Sequence, residues 1–422
     1  MRPDPLIPSS AGEHSPGAFI DAPSSQPTPN IGWPGALLLV LAGVVSAYHV
    51  GKPSAVLEVL QADLGVDIGT ASWLVSASGI VGAVAGAAIG MLSDRLGARR
   101  MVLLGLFVQA CASAAGAMAA GPGWLLASRV AEGLGFQLVV VGAPALIAAA
   151  MRVQSRTAAM AAWSTFMPVG LAGALLSVAW LAPSSWKPLW WFSAVLAVAI
   201  AIAVRVAVPE MPRAGPIATR PLGDDLVLAW RVRGPALLAL LFGLFNASYF
   251  AVSAFLPMLL QQAAHSVGVP AYVLSALAVG SSAVGNLAGL VFLARGVRPA
   301  AMLVWSFVGL LACSVPMVLG SATTTWLPLC ASVAFGAVAG LIPAALFAEV
   351  PARTPRAGMQ GLVIGWMMQG GNVGLTVGPP LAGMATAAFG WPAVIAVEAV
   401  LVVAAAAAVR MLGRAAVAAA PA

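Results

Sequence analysis

Long runs of apolar residues alternate with short polar connectors along most of the chain. A run of about 20 apolar residues is long enough to cross a bilayer as an α-helix. The pattern predicts twelve such spans, numbered one to twelve in chain order, at residues 34–52, 70–91, 101–119, 124–150, 157–181, 188–208, 234–258, 271–294, 300–320, 325–349, 358–387 and 391–411. The predicted fold class is therefore an all-α polytopic membrane protein.

The segments outside the spans divide the chain into two halves of six spans each. Residues 1–32 are rich in Pro, Ser and Gly and lack apolar periodicity, so we predict a disordered tail. The longest connector, 209–233, separates spans six and seven. The predicted organisation is a six-helix lobe over 33–208, a linker over 209–233, a second lobe over 234–412 and a short tail over 413–422.

The placement of arginine predicts the orientation of the chain in the membrane. With the N-terminus in the cytoplasm, 17 of the 20 Lys and Arg residues fall in cytoplasmic segments, which agrees with the positive-inside rule. Lys52 and Lys187 are then expected to face outward, and Arg129 lies within span four. Both termini are predicted to be cytoplasmic, in a bacterial inner membrane. This asymmetry accounts for the net charge of +7 without a nucleic-acid partner.

Composition supports the membrane assignment and narrows the chemistry. Hydrophobic residues make up 61% of the chain and charged residues 8%, against about 25% charged in soluble proteins. Cys111, Cys313 and Cys330 all fall in apolar runs, and the sequence contains no CxxC pair or His/Cys cluster. We therefore predict no metal site.

The segment GMLSDRLGARRM, residues 90–101, concentrates charge between spans two and three. Part of it recurs in the second half of the chain, where the aligned pairs are Gly90 with Gly289, Gly97 with Gly296, and Arg99 with Arg298. Asp94 aligns with Leu293, so the second copy lacks the acid. Two halves of six spans with a degenerate repeat are typical of a two-lobed transporter.

This segment resembles the signature between helices two and three of the major facilitator superfamily, G-x-L-[AS]-D-R-x-G-R-[RK]. The resemblance implies that superfamily's fold, twelve transmembrane helices in two pseudo-symmetric six-helix lobes. It also implies a gate, in which the Asp94 carboxylate faces the positive N-terminal end of span eleven when the cytoplasmic side is closed. The alternative is that the arginines only fix the topology. The gating candidates are Gly90, Asp94, Arg95, Gly97, Arg99 and Arg100.

The segment RVAEGLGFQ, residues 129–137, resembles the superfamily pattern R-x-x-Q-G-x-G, with Glu132 in place of Gln. Arg129 and Glu132 are three residues apart, so they can share a helix face and pair. An ionisable residue inside a span is costly and marks a candidate functional site. The resemblance associates this arginine with proton coupling; the alternative is a structural ion pair.

Spans five and eleven carry Pro and Gly in a pattern similar to the antiporter signature G-x-x-x-G-P-x-x-G-G. STFMPVGLAG in span five lacks the Gly before proline, whereas GLTVGPPLAG in span eleven keeps it. Proline kinks a helix and glycine permits close approach, so we predict a bending pair at the lobe interface. The candidates are Pro168, Gly170, Gly173, Gly374, Gly378, Pro379 and Gly383.

Uncharged polar and aromatic residues within the spans are candidates for the lining of a central cavity. They are Trp163, Thr165, Asn246, Tyr249, Asn286, Gln369 and Asn372. An interhelical hydrogen bond is the alternative for each polar member of this set. His49, at the end of span one, is expected to be hydrated at the membrane interface, and Glu398 in span twelve has no predicted partner.

These features predict a secondary active transporter that moves a small solute by alternating access. No G-x-x-x-x-G-K-[ST] loop is present, so we expect a proton gradient rather than ATP or another cofactor to supply the energy. Two substrate classes are compatible with the sequence. One is an amphipathic drug or metabolite, exported by antiport. The other is a small organic or inorganic anion, which a loose similarity to cyanate-type permeases suggests. An enzyme is disfavoured because no convergent catalytic set is found, and a channel because of the lobe repeat. We expect the lipid-embedded protein to act as a monomer.

Overall fold

The computed structural model describes residues 31–182, 185–210, 233–320, 326–355 and 360–418. Spans one to six are formed by Gly32–Ala55, Ile68–Ser76 with Ile80–Leu96, Ala98–Ala117, Pro122–Ala150, Val153–Trp163 with Phe166–Leu181, and Lys187–Ala207. Spans seven to twelve are formed by Gly234–Ser253, Ala271–Ala294, Pro299–Leu319, Trp326–Arg353, Gln360–Phe389 and Pro392–Ala418. Shorter helices, Leu57–Leu64, Leu256–Leu259 and Gln261–Val267, follow spans one and seven. Ten helices in the described residues are long and apolar enough to cross a membrane.

Two spans are interrupted near their middle. Span two contains a 3₁₀ segment at Ala77–Gly79, and mid-helix 3₁₀ turns often mark hinges. Span five was predicted as one helix over 157–181, but its helix ends at Trp163 and restarts at Phe166. The pyrrolidine ring of Pro168 would clash with the Ser164 carbonyl four residues earlier, which explains the break. Span eleven, by contrast, is helical through Pro379.

The two halves of the chain pack in the same way. In the first lobe, span one packs against spans four, five and six. Span two packs against span four, and span three packs against spans four and six. In the second lobe, span seven packs against spans ten, eleven and twelve. Span eight packs against span ten, and span nine packs against spans ten and twelve. Each of these contacts in one lobe therefore has a counterpart in the other, which confirms the predicted pseudo-symmetric architecture.

The lobes meet where span two packs on span eleven and span five packs on span eight. The pseudo-symmetry relates these two contacts to each other, because span two corresponds to span eight and span five corresponds to span eleven. Glycines with positive φ also recur at matching connectors: Gly97 (83°) with Gly296 (85°), and Gly65 (63°) with Gly268 (72°). Glycine adopts this backbone region without a Cβ penalty. The first pair is the one that the sequence repeat aligns.

Candidate functional site

Lys52 lies inside span one and is fully buried, so the prediction that it faces outward is wrong. The helix of span one continues through Pro53 to Ala55, and the helix Leu57–Leu64 follows almost directly. Lys52 therefore lies in the last turn of the span-one helix, and the helix Leu57–Leu64 carries the chain on beyond it. Its side chain points into the first lobe, among spans three, four and six.

Besides His49, four groups surround the Lys52 ammonium. Its Nζ donates to Glu132 Oε1 at 2.6 Å, to Ser113 Oγ at 2.6 Å and to Ser193 Oγ at 2.9 Å. It also lies 4.5 Å from the centre of the Trp190 ring, a cation–π distance. The three oxygens satisfy the three donors of an ammonium group, so the site fits a charged lysine closely.

Arg129 completes this buried charge cluster, which consists of Lys52, Glu132 and Arg129. Arg129 Nη1 donates to Glu132 Oε2, as the spacing of the two residues predicts. Its Nε donates to the Leu74 carbonyl of span two at 3.1 Å. Both side chains are buried, so the Arg129 guanidinium is enclosed in the lobe and not presented to a central cavity.

His49 is also part of this environment. It is 1% exposed, which corrects the expectation of a hydrated interfacial histidine. Its Nδ1 lies 3.4 Å from Lys52 Nζ and 3.5 Å from Glu132 Oε1. His49 and Lys52 are one helical turn apart, so both side chains reach the same face of span one.

The ion-pair geometry leaves the cluster with an excess of positive charge. Two basic groups, Lys52 and Arg129, share the single Glu132 carboxylate, one on each oxygen. Within the described part of the chain, no second carboxylate pairs with either of them. With both groups protonated, the cluster carries one uncompensated positive charge in a buried environment, where unpaired charge is expensive.

The interface between the lobes is built from glycines and amides. Gln137 Nε2 in span four donates to Asn372 Oδ1 in span eleven at 2.6 Å. Gln369 Nε2 donates to the Ala83 carbonyl of span two at 2.9 Å. A Cβ added at Gly82 would collide with the side chains of Gln137 and Asn372, so the small residue makes room for this amide pair.

The second interface contact uses the break in span five. Asn286 Nδ2 of span eight lies 3.5 Å from the carbonyl of Ser164, which is at the break between the two helices of span five. This is the long limit of a hydrogen bond. Of the seven predicted cavity residues, Asn286, Gln369 and Asn372 therefore lie between the lobes.

The described contacts of the other four cavity candidates are all with residues of their own lobe, and their place in the lining of a cavity stays a prediction. Trp163 is buried against Gly43 and stacks on Phe166. Thr165 Oγ1 donates to the Ala162 carbonyl at 2.8 Å. In the second lobe, Tyr249 is buried among aromatic rings, and Asn246 packs against span eleven at Gly371.

The predicted bending residues mostly serve close packing within lobes. A Cβ at Gly170 would collide with Val44 and Ala47 of span one, and a Cβ at Gly374 or Gly378 would collide with span seven. Pro168 is buried in span five, and Gly173 lies nearest Tyr48 of span one. Gly383 reaches the other lobe, at Ser72 of span two. Small residues are needed here because the helix backbones approach closely.

The predicted gating segment is partly described. Arg99 Nη2 donates to the Arg205 carbonyl at 2.6 Å, and Arg100 Nε donates to Glu210 Oε1 at 2.9 Å. Arg100 lowers the pKa of the Glu210 carboxyl. These contacts tie the first turn of span three to the end of span six and to the residues just after it, in the same lobe. The backbone of Gly90, Asp94 and Arg95 is helical, but their side chains lie outside the described residues.

A second buried carboxyl lies in the other lobe. Glu398 of span twelve hydrogen-bonds to Ser248 Oγ of span seven, and both residues are fully buried. Its Oε1 has no hydrogen-bond partner within the described residues. No partner for Glu398 was predicted from the sequence. In the described residues its hydrogen-bond partner is the Ser248 hydroxyl, and no basic group pairs with it.

The Gln137–Asn372 pair supports a direct test of the lobe interface. We expect Gln137→Ala and Asn372→Ala each to lower the apparent Tm, with a coupling of about 0.6 kcal/mol, typical of interhelical hydrogen bonds in membranes. Thermal unfolding of the purified single and double variants measures this coupling. Ser46→Ala removes a separate bond to Gln109 and should add independently to Asn372→Ala. Full additivity of the Gln137 and Asn372 variants would contradict the pairing.

Twelve helical spans in the described residues form two matched lobes with two symmetry-related contacts between them. This arrangement defines a polytopic membrane protein of the two-lobed transporter class. The chain belongs to the Major Facilitator Superfamily, whose sequence profile matches residues 39–368. It is a transporter and not an enzyme.

Similar proteins agree with this membership. The chain is 29% identical over 154 residues to an uncharacterized MFS-type transporter of Mycobacterium tuberculosis, a match that covers 36% of this chain and 27% of that protein. The chain thus spans about a quarter of that relative's length.

Solved structures share the fold. A mutant of the nucleoside transporter NupG matches with a TM-score of 0.73 and 16% identity, over 90% of this chain and 99% of the other. A bacterial homologue of the human lysosomal transporter Spinster, in an inward-facing and unoccupied conformation, matches with a TM-score of 0.64 and 17% identity, over 92% and 98%.

Proposed function

We propose that this protein is a secondary active transporter that moves a small solute by alternating access, coupled to protons. The observation that carries the proposal is the contrast between the contacts inside the first lobe and the contacts between the two lobes. The buried ion pairs lie inside the first lobe, whereas the spans that join the lobes meet through glycines and amides. Such an interface can separate without leaving a charge unpaired in the membrane.

The charge distribution favours an uncharged or amphipathic solute over an anion. The four spans at the lobe interface, 70–91, 157–181, 271–294 and 358–387, contain no Asp, Glu, Lys, Arg or His. Arg129, the basic group that an anion would need, is buried and paired with Glu132. A solute in this path would meet amide groups and apolar surface.

The proposed orientation places the arginine-rich connectors in the cytoplasm of a bacterial inner membrane. Because Lys52 lies inside span one, Lys187 alone remains on the outer side, against 17 cytoplasmic basic residues. This strengthens the positive-inside bias. We propose that Asp94 acts in the gate at this face, as the superfamily signature implies, and that the protein works as a monomer.

Flux measurements in proteoliposomes test the proposal. A pH-sensitive dye trapped in the vesicles reports the proton movement that each solute of a panel drives, with the panel sorted by net charge. We expect saturable solute flux that a pH gradient accelerates and a protonophore abolishes, with uncharged amphipathic members most active. Protein-free vesicles are the control. Flux that is confined to anions, or that is indifferent to the gradient, would contradict the proposal.

A further inference from the structure

We propose that Lys52 is the group that binds and releases the coupling proton, and that Glu132 and Arg129 transmit its charge state to the hinge of span two. This inference rests on the proposed proton-coupled transport and names the site that performs the coupling. The superfamily pattern in span four points to Arg129, whereas the geometry of the buried charge cluster points to a lysine in span one.

The charge balance of the cluster selects Lys52. An arginine guanidinium keeps its proton in proteins, and a carboxylate that faces two basic groups keeps its negative charge. Lysine, in contrast, changes protonation readily when it is buried. When Lys52 releases its proton, the three groups change from a net charge of +1 to neutrality. Loss of this one proton therefore removes the uncompensated charge.

Every element packed around Lys52 contributes a group that fits both protonation states. Ser113 of span three and Ser193 of span six accept from Nζ, and each also donates to the Trp190 carbonyl, at 2.8 and 2.9 Å. A hydroxyl can rotate and donate to a neutral amine. Span four contributes Glu132 and Arg129, and span one contributes His49.

The proton has a neighbouring acceptor. On release, an Nζ–H bond breaks, the nitrogen keeps the electron pair, and the proton passes by way of His49 Nδ1, 3.4 Å away, to a water molecule, which becomes hydronium. On binding, the same lone pair takes a proton from hydronium by the reverse path, and water is left. Lys52, Ser113, Arg129 and Ser193 all lie within about seven residues of the span ends at one face of the membrane, so the cluster lies about 10 Å or less from that face at 1.5 Å per residue.

A continuous set of contacts leads from Lys52 to the lobe interface. Glu132 bridges Lys52 and Arg129, and Arg129 Nε donates to the Leu74 carbonyl. The 3₁₀ segment Ala77–Gly79 follows Leu74 within one turn. Gly79 in turn lies against Asn372 and Thr376 of span eleven.

This arrangement explains how a proton could bias the interface. When Lys52 is neutral, the Glu132 carboxylate is left to Arg129 alone and draws the guanidinium more strongly. The bond from Arg129 to Leu74 then weakens, and the segment that leads into the hinge at Ala77–Gly79 loses this polar contact with span four, while the close packing of Ser78 on Gly133 remains. Two charge states with different contacts at the hinge are what a population shift requires.

The lysine content of the chain permits a direct test. Lys52 and Lys187 are its only lysines, so full-length protein labelled with ¹³C,¹⁵N-lysine in lipid nanodiscs gives two side-chain ammonium or amine signals. Lys187 is exposed, and Lys187→Arg assigns its signal. Between about pH 5 and 9, a range in which an exposed lysine stays protonated, we expect the Lys52 signal to move through one transition. The Lys187 signal, recorded in the same spectra, serves as the internal reference.

A constant Lys52 signal over this range overturns the inference, whether the group stays ammonium or amine throughout. The flux assay is independent of this outcome. Gradient-driven flux with a constant Lys52 signal rejects Lys52 as the proton site and leaves the proposed function standing. A moving Lys52 signal without gradient-driven flux rejects the proposed function.

The transmission step needs its own readout. Spin labels at Arg152→Cys and Arg295→Cys, two exposed positions in different lobes, report the distance between the lobes once Cys111, Cys313 and Cys330 are replaced. We expect this distance distribution to change over the same pH range. Lys52→Met should abolish the change, and so should Arg129→Gln, which removes the bond to Leu74. A pH response preserved in Arg129→Gln contradicts transmission through the guanidinium.

Discussion

Glu132→Gln is expected to be the most destabilising single substitution in the buried charge cluster, with a loss of about 3–5 kcal/mol. Removing one partner of a buried ion pair leaves an uncompensated charge, which costs about this much. Here both Lys52 and Arg129 lose their carboxylate partner, so the substitution leaves two buried positive charges without a counter-ion. The apparent Tm of the purified protein in detergent measures the loss, and reduced recovery from the membrane should accompany it.

Lys52→Met is the matched comparison. We expect it to lower the free energy of unfolding by less than half as much as Glu132→Gln does. It leaves Glu132 and Arg129 as a balanced pair, and the methionine side chain occupies much of the volume of the lysine stem. Glu349→Gln controls for the change of carboxylate to amide. Its partner Arg353 lies one turn away on the same helix, and both side chains are 12% exposed, so we expect that variant to lose less stability than Glu132→Gln, which removes the partner of two fully buried groups. Equal losses for Glu132→Gln and Lys52→Met would contradict the charge count.

The fold was largely predictable because its signals are local. A bilayer requires long apolar helices, so the twelve spans could be located from composition, and the repeat of Gly97 at Gly296 revealed the two halves. The break in span five was not predicted, although Pro168 was singled out. A proline in a span is compatible with a kink, a break or a continuous helix, and span eleven is continuous through Pro379.

The candidate site was predictable only where both partners lie on one helix. Arg129 and Glu132 are three residues apart, so their pairing could be inferred, whereas Lys52 is 80 residues away from Glu132. Its position beside Pro53 at the end of an apolar run is typical of a lysine at the membrane surface. Tertiary packing decided its burial. The spacing of His49 and Lys52 by one turn was the available signal for a shared polar face.

The lobe interface was missed for the same reason. Asn372 was singled out, but its partner Gln137 lies 235 residues away and was read as part of the span-four pattern. Gly82 of span two lies against this amide pair, but no sequence signal assigns it a partner. A stripe of small residues shows that something approaches closely, but the sequence alone cannot say whether the approaching helix belongs to the same lobe or to the other.

A pair of glycine substitutions should separate contacts that move from contacts that do not. We expect Gly285→Val to lower stability by about 1–3 kcal/mol, the usual cost of overpacking. A Cβ at Gly285 would collide with the backbone carbonyl of Ala337 in span ten, within the same lobe. The backbone there is fixed by the packing of spans eight and ten, so it has little freedom to move away. Loss of apparent Tm is the measurement.

Gly82→Val should instead leave stability within about 1 kcal/mol of the wild type and shift the conformational equilibrium. The added side chain would meet Gln137 and Asn372, and a transporter can relieve this collision by separating spans two and eleven as its lobes move apart. The distance between spin labels at residues 152 and 295 should change for Gly82→Val and stay unchanged for Gly285→Val. If Gly82→Val instead destabilises the protein as much as Gly285→Val, with no change in that distance, the interface of spans two and eleven is a fixed contact. Alternating access across it would then be excluded.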